Sequence, residues 1–241
     1  NNLPELRSTF QEVADIRTQD MLDLPLPTAH FEVVTAKPTK EQKEFLSALV
    51  ERAEAIRNSS VSPDQDNMLC VTNDGKKLAL DQRLLDPSLP DNPTGKISLC
   101  ADNVFRIWQE GANQKLTQLV FCDTSTPKGA KEATNDSEDL SVEEIIALTE
   151  QHHAPSPTGF TNVYEDLRKK LEERGIPTEE IAFIHEANPL EQKKKLFANV
   201  RAGNIRVLIG STQKMGAGTN VQDKLVALHD LDCPWRPRDL E

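Results

Sequence analysis

Cysteine is scarce in this sequence: Cys70, Cys100, Cys122 and Cys233 lie far apart and never form a Cys-x-x-Cys pair. That spacing excludes a zinc ribbon and a disulfide framework, and it suits a reducing, cytoplasmic setting. Long apolar runs are also missing. The longest are of the kind Val207-Leu208-Ile209, far short of the roughly 18 residues needed to cross a bilayer, so no membrane partner is expected. No signal-peptide pattern opens the sequence. Aromatic residues make up only 5%, with a single tyrosine, so the core must rest on aliphatic side chains. Basic residues are the minority: 28 Lys and Arg stand against 39 Asp and Glu, a net charge of −11. Such a chain is not one that coats nucleic acid regardless of sequence.

What is present is enough for one large domain, or for one domain with an ordered extension: 241 residues, 37% of them hydrophobic. The charge is unevenly spread. Residues 128–150 hold seven acids and two lysines, whereas residues 193–241 hold nine basic residues against five acids. An acidic chain can therefore offer a polyanion a basic local surface. The sequence begins at Asn1, without methionine, and ends at Glu241 inside a motif described below, so it reads as a piece of something larger.

Two regions differ in pattern, with the boundary at 95/96. In the first, Thr39-x-x-Gln42 is a capping box, and Phe45, Leu46, Leu49, Ala53 and Ile56 follow at helical spacing. Residues 58–93, rich in Asp, Asn, Ser and Pro, read as mostly loop with short helical pieces. From Lys96 onward short apolar runs alternate with amphipathic segments. Ile97, Cys100, Ala101, Val104 and Trp108 line one helix face that stops at Gly111. Phe160, Val163, Tyr164, Leu167 and Leu171 line another, closed by Gly175 and Pro177. Asn188-Pro189-Leu190-Glu191 starts a third as N-cap, N1 proline and N3 glutamate, and Gly203 ends it. Between these lie four apolar runs, at 116–122, 181–184, 205–209 and 225–231. Such alternation predicts an α/β fold, a parallel sheet with helices on both faces, preceded by a mainly helical extension. An acidic insertion at 128–157, with a small helix announced by Ser141-x-x-Glu144, interrupts it.

Chemistry concentrates past the third run. Ser211, Thr212, Lys214, Gly216, Gly218, Thr219 and Asn220 combine hydroxyls, a cation, close glycines and an amide at a strand exit, which suits phosphate and ribose. The fourth run ends in Asp232-Cys233-Pro234-Trp235-Arg236-Pro237, where an indole beside arginines can stack on a base or a guanidinium.

Taken together, Ser211-Thr212-x-x-x-Gly216-x-Gly218-x-Asn220, a strand, and Asp232-x-x-Trp235-x-Pro237 resemble the second, RecA-like lobe of Swi/Snf-type superfamily 2 helicase-like ATPases. Leu24-Pro25-Leu26-Pro27, Phe31-Glu32-Val33-Val34, Thr94-Gly95-Lys96 and Gln118-Leu119-Val120-Phe121-Cys122 match further stretches of that family. The pattern is similar to that of the very large helicase–methylase proteins of bacterial phages, plasmids and conjugative elements. The resemblance implies a bacterial, DNA-dependent motor in which ATP and Mg²⁺ sit between this lobe and an upstream first lobe. By position, Gly216, Gly218, Thr219 and Asn220 would face ATP. Ser211, Thr212, Lys214, Trp235 and Arg236 would face DNA. No metal ligand is implied here.

Departures matter as much as matches. Pro93-Thr94-Gly95-Lys96-Ile97 and Asp74-Gly75-Lys76 both lack the full phosphate-loop pattern, and the family's arginine finger would begin past Glu241. The chain alone is therefore expected not to hydrolyse ATP. Two other readings remain open on the residues. Asp232-Cys233-Pro234-Trp235 echoes the Asp-Pro-Pro-Trp loop of adenine-specific DNA methyltransferases, with Gly216-Ala217-Gly218 as a methyl-donor loop. Alternatively, the insertion serves a non-catalytic protein-docking module.

Overall fold

Thr39 and Gln42 close the predicted capping box. The threonine Oγ1 accepts from Gln42 N–H at 3.0 Å, and Gln42 Oε1 accepts from Thr39 N–H at 2.9 Å. The helix they start, α2, runs Lys40–Arg57 in a computed structural model that describes residues 3–14, 28–62, 65–127, 158–187, 189–216 and 219–233. The chain forms two compact units, Asn1–Val34 and Thr35–Glu241. The first contains helix α1 (Leu3–Val13), on which Leu6, Phe10 and Val13 are exposed.

In the second unit the run at 58–93 departs from expectation. Met68–Leu80 is a continuous helix, α3, capped by Asn67, whose side chain accepts from the N–H groups of Leu69 and Cys70. Asn73-Asp74-Gly75 looks like a turn, but it sits mid-helix. There Arg52 of α2 donates to Asp74 at 2.8 Å and to Asp66, and Val71 and Leu78 pack against Leu49. Tertiary contacts thus override local turn chemistry. Leu46, placed on the apolar face by spacing, is exposed. Nor is 95/96 a seam in packing: buried Arg83 donates to Asp81 and, across the chain, to Asp166.

The remaining elements are α4 (Lys96–Glu110), β1 (Thr117–Phe121), α5 (Val163–Glu173), β2 (Ile181–Phe183), α6 (Leu190–Ala202), β3 (Val207–Gly210), α7 (Thr212–Met215) and β4 (Leu225–Asp230). All four strands are parallel, in the order β2-β3-β1-β4. The fold is α/β and RecA-like, with a mainly helical segment ahead of the sheet. Connections β1→β2 and β2→β3 run in opposite directions along the sheet, so right-handed crossovers put α5 and α6 on opposite faces. The core confirms it. Val120, Phe183, Val207 and Ile209 pack with α4 and α5, while Leu119, Ala182 and Leu208 pack with α6. Pro189 stands at the N-cap of α6, not at N1, and supplies no side-chain cap; Asn188 lies outside the described residues. The insertion at 128–157 lies outside them as well.

Candidate nucleic-acid interface

Four parallel strands bring their carboxyl ends to one edge of the sheet, where ligands gather in open α/β folds. β1 is followed there by Asp123, β2 by the 3-10 turn Ile184–Glu186, β3 by Ser211 and α7, and β4 by Asp232. Asp123 ties these ends together. Its Oδ1 accepts from Thr212 N–H at 2.7 Å, and the Thr212 hydroxyl also bonds its carboxylate. Asp232 accepts in turn from the N–H groups of Asp123 (2.9 Å) and Thr124 (2.6 Å). Burial, aided by the charge of Asp232, pushes the Asp123 carboxyl above its usual range, while the bonds from Thr212 and the charge of Lys76 pull the other way.

Gly210 lets the neighbouring segments meet. A Cβ at this position would lie 2.3 Å from Ile184 Cγ2 and 2.8 Å from Met215 Sδ. The turn after β2 and helix α7 therefore close over the end of β3, bringing His185 and Lys214 onto adjoining elements. His185 stands edge-on to Tyr164 with ring centroids 5.2 Å apart, and its Nδ1 is buried without a hydrogen-bond partner. Burial first, and then the charge of Lys214, push the imidazole down to about 4; Lys193 of α6 adds to this and Glu186 opposes it. Lys214 is itself lowered, by burial and then by Lys193. His185, Lys193 and Lys214 thus share one positive neighbourhood.

The expected site residues divide. Ser211 is buried, and Thr212 is half-buried and bonded to Asp123. Gly216 closes α7, its N–H donating to Thr212 O at 2.6 Å. The Thr219 hydroxyl is buried without a hydrogen-bond partner. Asn220 is exposed, and its carbonyl accepts from Arg201 Nη1 at 2.6 Å, close to the end of α6. The loop has by then turned back from the strand exit. Gly218, Trp235 and Arg236 lie outside the described residues. Asp123 and His185 are not singled out by the sequence, although both follow apolar strands in a parallel sheet, and that position is itself a signal; Lys193 is singled out only as part of a lysine run in the basic stretch 193–241.

The basic tail of the sequence also separates on folding. Arg206 is buried, donating to Leu116 O and Trp108 O. Lys224 donates to Ala202 O, and Lys194 pairs with Glu191. Among the described members of that set, Lys193 and Lys214 are the ones whose charges act on His185 after β2.

Asp123 and Asp232 are spent on backbone N–H groups, and Gly216 ends a helix instead of opening one onto a phosphate. The same placement speaks against a methyl-donor loop, which opens a helix after its strand. A second acidic group, Asp81, Asp91 and Asp166, lies around Arg83, which reaches all three within 2.9 Å, and Lys170. Arg83 and Lys170 offset two of these three negative charges. No protein-family model matches the chain, and neither does a curated protein or a solved structure. No helix among the described residues is long and apolar enough to cross a membrane.

Proposed function

We propose that this chain is the second motor lobe of a Swi/Snf-type DNA helicase or translocase, and that the carboxyl ends of β2 and β3 receive the backbone of one DNA strand. The observation that carries this reading is the Ser211-Thr212 step, anchored on Asp123 at the exit of β3 with Lys214 and Lys193 beside it. Thr212 and Ser211 are positioning residues on this account. Thr212, through its N–H and hydroxyl on Asp123, holds the loop beside buried Ser211, and the two ammonium groups meet phosphate. Phosphate contacts by lysine are independent of sequence, as a translocating motor requires. ATP and Mg²⁺ belong, on the same reading, between this lobe and a first lobe carrying the phosphate loop. The chain alone contributes one wall and no turnover.

The test is binding of a fluorescein-labelled single-stranded oligonucleotide by the 241-residue chain, followed by anisotropy at increasing salt. The expected plot of log K against log[salt] is linear, and Lys193→Ala with Lys214→Ala reduces its slope by about 1.4, from roughly 0.7 per phosphate contact. An unchanged slope removes these lysines from the DNA path. Micromolar binding of S-adenosylmethionine would instead favour the methyltransferase reading.

A further inference from the structure

The two edges of the sheet are finished differently. β2 is buried along its whole length, whereas Val226 and Leu228 of β4 are 48% and 58% exposed. The connections explain the contrast. β2→β3 and β3→β4 run in the same direction along the sheet, so right-handed crossovers put both on the face that carries α6. The first crossover supplies α6, with 13 residues. The second supplies, among the described residues, only the four-residue α7 and a 3-10 turn at Gln222–Lys224. A helix of that size is about 6 Å long, against roughly 20 Å for a six-residue strand. It closes over the end of β3 and leaves β4 uncovered. From Leu225 to His229 the strand also has no proline, lysine or acid, the residues that ordinarily keep an edge from pairing. Its register irregularity against β1 falls ahead of Ala227, and Ala227–Asp230 pair regularly.

We propose that β4 pairs antiparallel with β4 of a second copy of this chain, about a two-fold axis that passes through Ala227 perpendicular to the sheet. The strand is complementary to itself in this register. A perpendicular two-fold keeps each face of the sheet on its own side, so paired residues must point the same way and the centre falls on a residue. Centred on Ala227, Val226 lies opposite the partner's Leu228, and Leu228 opposite the partner's Val226, on the face where both are exposed. Two residues further out, Lys224 comes level with the partner's Asp230 at each end. Asp230 is exposed. Lys224 reaches the end of α6, where its Nζ donates to Ala202 O at 2.7 Å, and an ammonium has three N–H groups to give. Centring on Val226 instead sets Lys224 against the partner's Leu228, and centring on Leu228 sets Val226 against the partner's Asp230. Apolar and opposite-charge cross-strand pairs stabilise a sheet, and a charge opposite an aliphatic side chain does not. The surface is distinct from the strand exits and does not depend on the DNA-binding reading.

The experiment is sedimentation equilibrium of the 241-residue chain over a wide concentration range. It is run at about 0.15 M salt, where repulsion between two acidic bodies is screened beyond about 8 Å. The mass is expected to rise with concentration from 26.9 kDa toward twice that value. Leu228→Lys, a change at an exposed position, is expected to keep the chain at 26.9 kDa with its Tm unmoved. Lys224→Asp and Asp230→Lys are each expected to weaken the dimer about tenfold, and the two together to restore it. The register has its own readout, because cross-strand Cβ atoms about 4.5–5.5 Å apart are close enough for a disulfide to form with small adjustment. With Cys70 and Cys233 changed to serine, Ala227→Cys is expected to give a disulfide-linked dimer on mild oxidation, and Asp230→Cys is not. A mass of 26.9 kDa at every concentration overturns the proposal. So does a dimer that survives Leu228→Lys, or one that the double charge exchange fails to restore. A monomer whose β4 N–H groups all resist hydrogen exchange assigns the edge to another segment of the same chain, and overturns it too.

Discussion

At Gly210 a side chain is missing because its space is already taken. Ile184 and Met215 fill the volume that a Cβ would need, and Met215 belongs to α7, which carries Lys214, a candidate phosphate contact. Gly210→Ala is thus an overpacking change at the end of a buried strand. Its expected cost is about 1–3 kcal/mol, a fall in Tm of roughly 2–4 °C for each kcal/mol in a chain of this size. Thermal unfolding followed by circular dichroism measures it, and an unchanged Tm would mean that the two segments do not close on β3. Asp123 illustrates the other way a residue acts here. It need not touch a ligand, because its acceptance of the Thr212 N–H and hydroxyl already sets where α7 begins.

Among the elements, β4 is one of the two edge strands, and its two faces behave differently. Val226 and Leu228 are exposed on the side of α6, while His229 turns toward α4 and α5. Its Nε2 lies 2.9 Å from Gln118 Oε1, and Gln118 Nε2 donates to Val104 O at 3.0 Å, so one amide links β4, β1 and α4. Burial, and secondarily the charge of Arg106, push His229 down to about 4. With His185 also depressed, the unfolded chain binds more protons than the folded chain between pH 6.5 and about 4. The stability these groups confer is whole above pH 6.5 and drains as pH falls through that window. Asp123 and Asp230, raised chiefly by burial, work in the opposite sense near its acid end. Urea unfolding at pH 7.5 and 5.5 is expected to give a lower midpoint at the acid pH, with about half of the loss abolished in His229→Gln. An equal loss in the variant would contradict the assignment.

The elements also mark what the sequence could reveal. All four strands are legible from short apolar runs: β1, β2 and β3 are covered on both faces, and β4 is apolar although Val226 and Leu228 are exposed. Gly111 and Gly203 are legible as helix ends; Gly203, at φ 78°, has a conformation that side chains resist. α3 is not legible. Its Asn-Asp-Gly centre imitates a turn, and the ion pair with Arg52 that holds it straight spans 22 residues. At the site, the residues after β3 are legible from their hydroxyls, lysine and glycines. His185 is not, because its turn meets α7, which carries Lys214, only once Gly210 lets the two close over β3.

Across the whole molecule, a net charge of −11 coexists with a basic neighbourhood at one edge of the sheet. Among the described residues, Arg201, Arg206 and Lys224 donate to backbone carbonyls, and the charges of Lys193 and Lys214 act on His185. An acidic body with one basic edge disfavours diffuse coating of DNA and favours a single line of contact. The most direct measurement is photo-crosslinking of a single-stranded oligonucleotide containing 4-thiothymidine to the 241-residue chain, with adducts mapped by mass spectrometry. The account predicts adducts within residues 184–193 and 211–216. Adducts confined to the opposite edge, around residues 203–206 and 222–225, or no adduct at saturating oligonucleotide, would contradict it.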